Sequence, residues 1–69
     1  MDRGKVKWYD QEKNYGFIEA DTGKEYFVHK SDVIDGSLDK GQLVEFEIGE
    51  GKKGSVARNV LPLLDEDEE

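Results

Sequence analysis

The chain has no cysteine, and only one histidine and one proline, among its 69 residues. Without thiols there is no disulfide framework and no thiolate metal site, so two usual supports of very small domains are excluded. One histidine, with no Ser-His-acid arrangement on adjoining elements, leaves no activated nucleophile, and scattered carboxylates give no convincing metal site. Neither catalysis, a metal, a cofactor nor a small-molecule substrate is therefore expected. No segment approaches the roughly 18 apolar residues of a membrane span, and no apolar run follows a basic start at Met1-Asp2-Arg3-Gly4. The expectation is a soluble, cytoplasmic monomer. Only 35% of the residues are hydrophobic, and a chain of this size buries about 60% of its unfolded surface, enough for one domain of modest stability.

A surplus of positive charge is also missing. Ten Lys and Arg stand against 17 Asp and Glu, for a net charge of −7. Five of those acids are Asp65, Glu66, Asp67, Glu68 and Glu69, so residues 1–64 carry a net charge of only −2. The expected division is a domain over residues 1–64 and a disordered acidic tail over residues 65–69, which cannot bury anything. Bulk electrostatics cannot drive a near-neutral body onto a polyanion, so any affinity for nucleic acid must come mainly from stacking.

What the chain does have is aromatic residues in one place. Six of its seven Phe, Trp and Tyr fall within residues 7–29, in Lys7-Trp8-Tyr9, Lys13-Asn14-Tyr15-Gly16-Phe17-Ile18 and Tyr26-Phe27-Val28-His29. These are runs of β-formers separated by turn residues such as Asn14 and Thr22-Gly23. Strands are expected near residues 3–10, 15–20, 25–30, 42–49 and 55–61. Five short strands at regular spacing point to an all-β fold, a closed antiparallel barrel that leaves no exposed sheet edge. Ser31-Asp32-Val33-Ile34 reads as a single helical turn capped by Ser31 or Asp32, and residues 35–41 as a connecting loop.

Alternation assigns the faces. Val6, Ile18, Val28, Val33, Ile34, Val44, Phe46, Ile48 and Val60 form the expected core. Tyr15, Phe17, Phe27 and His29 fall on a second face. Trp8 shares its phase with core Val6, so a bulge is needed to turn it outward. Rings spaced two apart on neighbouring strands, with Lys7, Lys13, Lys30, Lys52 and Lys53 able to border them, suit single-stranded nucleic acid, whose bases stack on flat side chains while cations meet the phosphates. The competing account is ordinary barrel packing, with rings chosen for strand propensity. It suits Phe46 and Tyr26 but leaves two pairs of rings uncovered.

Those three segments, with Gly41-Gln42-Leu43-Val44-Glu45-Phe46 and Lys53-Gly54, resemble the bacterial-type cold-shock proteins of the cold-shock domain family over about residues 3–61. Lys13 to Ile18 resembles the family's first ribonucleoprotein motif and Tyr26 to His29 its second. The resemblance implies a five-stranded Greek-key barrel of the OB type. It implies binding of single-stranded RNA and DNA and a role as RNA chaperone in translation, transcription termination and the cold-shock response. The family's contact positions fall on Trp8, Tyr15, Phe17, Phe27 and His29, with Lys7, Lys13 and Lys53 as polar or phosphate contacts and Glu25 accepting from base edges. Lys30 replaces a residue that is commonly aromatic. The loop before Gly41 is shorter than usual and has no Phe, so a shortened footprint is expected. Asn14 stands where Gly is usual and must tolerate a left-handed turn. An OB module that recruits a basic partner through the acidic tail is the alternative, and an oligosaccharide-binding barrel would leave the lysines unexplained.

Overall fold

A computed structural model describes residues 1–34, 38–52 and 54–63. Lys53, residues 35–37 and the acidic tail lie outside the described residues, as do the expectations attached to them. Five strands, β1 (Asp2–Asp10), β2 (Tyr15–Ala20), β3 (Glu25–His29), β4 (Leu43–Gly51) and β5 (Gly54–Pro62), close a barrel in the order β1-β2-β3-β5-β4. The expected strand positions and barrel hold. Four of the five seams are antiparallel, but β3 meets β5 in parallel through the single rung Phe27 to Val56, so the barrel is not antiparallel throughout. An odd number of strands cannot alternate in direction all the way round a ring, so one parallel seam is unavoidable.

Strand alternation fills the interior with Val6, Ile18, Val28, Val44, Phe46 and Val60, joined by Tyr26, Val33, Ala20, Ala57 and Leu38. Two expected core residues are not there. Ile48 keeps its phase and pairs with buried Ala57, yet is 48% exposed. The reason is that β1 starts at Asp2 opposite Phe46, so Ile48 lies past the last β1 rung, at the barrel's open end beside Met1, Arg3 and Tyr26. Ile34 is 57% exposed. Val33 is extended rather than helical and bridges to Val60, so the next side chain turns outward. In contrast Leu38, in the expected loop, is 1% exposed, with its carbonyl accepting from Gln11 Nε2 at 2.9 Å.

The helical turn exists but is shifted. It is a 3-10 turn over Lys30–Asp32, and its cap is His29, whose Nδ1 accepts from the Ser31 N–H, rather than Ser31 or Asp32. The ring reaches the free donor because His29 ends β3 with extended backbone, the geometry a cap requires.

Candidate functional site

The site begins with a miscount in β1. Val6 pairs with Ile18 but Trp8 pairs with Phe17, so Lys7 is an extra residue with no partner on β2. This bulge reverses the phase: Val6 stays in the core, while Trp8 emerges 38% exposed on the same side as Phe17. Gly16 follows from the same crowding, because a Cβ there would run into the Trp8 carbonyl oxygen. Just before it, Asn14 takes φ 64° as the turn requires, its N–H donating to the Asp10 carbonyl at 2.7 Å. Asp10 Oδ1 accepts from the N–H groups of Glu12 and Lys13, so the turn carrying Lys13 is held from inside.

Register then lines up the rings. Trp8, Phe17, Phe27 and Val56 form one row across β1, β2, β3 and β5, and Tyr15 pairs with His29 in the row beside it. Ring centroids are 5.4 Å apart for Trp8 and Phe17, 5.8 Å for Phe17 and Phe27, 5.6 Å for Tyr15 and Phe27, and 5.6 Å for Trp8 and Tyr15. The four rings therefore make one closed circuit. Their planes are inclined by 32° to 77°, the tilted and edge-on geometry that aromatic quadrupoles favour. No strand lies over them among the described residues. A groove of about 540 Å³ runs from Phe17 and Phe27 along the β3–β5 seam, lined also by Val56, Ser55, Gly54, Gly51 and Lys52. Tyr26, opposite in phase, lies in the core against Phe46, with centroids 5.4 Å apart.

The polar residues are distributed around this circuit. His29 is exposed at the end of β3. A backbone N–H can only donate, so Nδ1 accepts from Ser31, which leaves Nε2 directed away from the cap. Lys13 and Lys30 are exposed, and the Lys30 N–H donates to the Asn14 carbonyl, tying the end of β3 to the β1–β2 turn. Lys7 and Glu25 are joined in an ion pair that crosses β2. The hydrogen bond to Glu25 and then its charge hold the Lys7 ammonium above its ordinary pKa against a smaller desolvation effect, with the charge of Glu19 adding least. That pairing was not foreseen, since nothing in the sequence aligns residues eighteen positions apart until the strand register is known. Tyr9 was also missed. It packs against the core, its hydroxyl is buried with no partner among the described residues, and burial pushes its phenol pKa up.

Among the described residues no group of three His, Asp or Glu is arranged to hold a metal, and no helix is long and apolar enough to cross a membrane. The site offers flat apolar faces bordered by a few cations.

Comparison with known proteins follows the same lines. The profile of the 'Cold-shock' DNA-binding domain matches residues 2–63. A cold shock-like protein of Thermotoga maritima is 56% identical over 61 residues, covering 84% of this chain and 92% of the relative. Cold shock protein CspB of Geobacillus stearothermophilus is 51% identical over 67 residues, covering 91% of this chain and 100% of the relative. CspD of Bacillus subtilis is 50% identical over the same length and coverage. The solved structure of drosophila Unr CSD456 superposes with a TM-score of 0.77 at 19% identity, over 94% of this chain but only 27% of that one, and so supports the fold alone.

Proposed function

This chain belongs to the cold-shock domain family of nucleic-acid-binding proteins, and from that premise we propose that it is an RNA chaperone. It traps unpaired bases of single-stranded RNA and DNA by stacking them on Trp8, Tyr15, Phe17, Phe27 and His29. Lys13 and Lys30 border the strand, with Lys53 as a further phosphate contact by family resemblance, and Lys7 of β1 and Glu25 of β3 lie paired across β2 at one margin of the rings. By holding bases unpaired it melts weak RNA structure, with consequences for translation and transcription termination. The protein is not an enzyme: it changes which RNA conformations are populated. A monomer working in the cytoplasm completes the proposal.

The observation that carries this reading is the circuit of four neighbouring rings, which no strand covers among the described residues. A core needs no such arrangement on its outside, and the body's near-neutral charge asks stacking to supply the affinity. Each stacked base contributes about 1 to 3 kcal/mol. Four at the upper end give roughly 12 kcal/mol, and association costs of about 4 kcal/mol leave roughly 8, which is near-micromolar binding. The test is Trp8 fluorescence. Titration with a single-stranded oligonucleotide quenches it as the indole stacks on a base, and duplex of the same sequence does not. An unchanged signal with single strands would favour a protein-interaction module and end this reading.

A further inference from the structure

Lys7 carries the bulge that turns Trp8 outward, and its own side chain is committed elsewhere. It reaches over β2 to the Glu25 carboxylate on β3. Glu25 stands opposite Glu19, and Glu19 stands opposite Lys5. One ion pair, with a further carboxylate behind it whose charge also acts on Lys7, thus lies along one margin of the ring circuit. Both members of the bonded pair are about half exposed, 48% and 45%, and exposed pairs contribute little to folding. The consequence of the pair lies in what it withholds. A phosphate drawn toward the Lys7 ammonium meets the like charge of Glu25 beside it and of Glu19 behind it.

We propose that Glu25 is a positioning residue that keeps Lys7 from neutralising a phosphate, so that a strand occupies this margin of the site by stacking and not by charge. This rests on the nucleic-acid-binding reading above and replaces the expectation that Lys7 is a phosphate contact. Glu25 then sets how strongly binding depends on salt, without touching any ring.

The test compares the full chain with its Lys7→Gln, Glu25→Gln and doubly substituted variants, each titrated with an oligothymidine at several NaCl concentrations. Each phosphate neutralised on a single strand adds about 0.7 to the slope of log affinity against log salt. Glu25→Gln is expected to steepen the native slope by about 0.7, which amounts to a relative gain of about five-fold in affinity for each tenfold fall in salt. Lys7→Gln alone leaves the native slope where it was, whatever it does to affinity, and added to Glu25→Gln it takes the extra slope away. A merely structural role for either residue would move affinities or stability without this crossed pattern in the slopes. The proposal is overturned if Lys7→Gln flattens the native slope, or if Glu25→Gln leaves it unchanged. Failure of the native chain to bind at all would remove the functional reading itself, an outcome separate from either slope.

Discussion

Phe17 and Phe46 are the same residue type on opposite sides of one barrel wall, and truncating each to alanine separates binding from folding. Phe46 has no exposed surface, is enclosed by the core cluster and lies against Tyr26. Its loss leaves a cavity, and Phe→Ala changes in cores cost about 3 to 5 kcal/mol. A 69-residue domain is stable by roughly 0.05 to 0.15 kcal/mol per residue, or about 3 to 10 kcal/mol in all. Phe46→Ala therefore removes a large part of the stability and can leave the chain mostly unfolded. Phe17 is half-buried and loses two ring neighbours, Trp8 and Phe27. At about 0.5 to 1.5 kcal/mol per aromatic pair its folding cost is about 1 to 3 kcal/mol, while one base loses its stacking partner, for about 1 to 3 kcal/mol of affinity. Urea unfolding followed by circular dichroism reads the first quantity. Anisotropy of a labelled oligonucleotide reads the second, because Trp8 fluorescence is itself altered when Phe17 is cut away. Measured where both variants are folded, Phe17→Ala binds about 5- to 150-fold weaker, since about 1.4 kcal/mol is tenfold, and Phe46→Ala binds as the native chain does. Equal losses of affinity, or equal losses of stability, would refute the assignment of the two faces.

Tyr9→Phe removes a buried hydroxyl that has no partner, and is expected to raise stability by about 1 kcal/mol in thermal unfolding; a loss instead would mean that the hydroxyl has a partner. The same residue gives an alkaline signature: because its folded pKa is raised above the ordinary 10.0, its contribution is complete below that pH and is lost as pH rises through the raised value, the unfolded chain ionising first. Lys7, also raised, loses its contribution in the same direction, so the Tyr9 share is read as the difference between the native and Tyr9→Phe melting curves. Asn14 at φ 64° accepts glycine with little change, whereas Asn14→Val is expected to cost about 1 to 2 kcal/mol; an equal response to both would mean that the turn is not held left-handed. Oligothymidines of increasing length are expected to saturate at a shorter site than a relative with an aromatic residue at position 30 and a longer loop before Gly41, and an undiminished site size would restore the subsites taken to be missing.

Much of this was legible along the chain because period-two alternation is a local property. Val44 and Phe46 declare the inside of β4 by themselves, and the clash of phase between Val6 and Trp8 called for the bulge that sits between them. Burial was less legible, because it depends on where neighbouring strands end. Ile48 has the right phase and the wrong depth, and only the start of β1 opposite Phe46 says so. Leu38 is loop, as expected, but its burial was hidden because nothing in its local sequence reveals that Gln11 holds the chain there. Side-chain partners across the sheet were hidden for the same reason: Lys7 and Glu25 meet only once β1, β2 and β3 are in register. His29 was read as part of the ring face, and its second duty as a cap needed the shift of the 3-10 turn to Lys30–Asp32.

The parallel joint between β3 and β5 has a mechanical consequence. Every other seam is stitched through several rungs, while this one relies on Phe27 facing Val56, with a lone bridge from Val33 to Val60 farther along. A ring of strands parts first where it is least sewn, and breathing of that kind exposes backbone locally at a fraction of the global unfolding free energy. The groove beside Phe17 and Phe27 straddles this joint, so whatever lodges there acts as a staple, and occupancy and closure of the barrel reinforce one another.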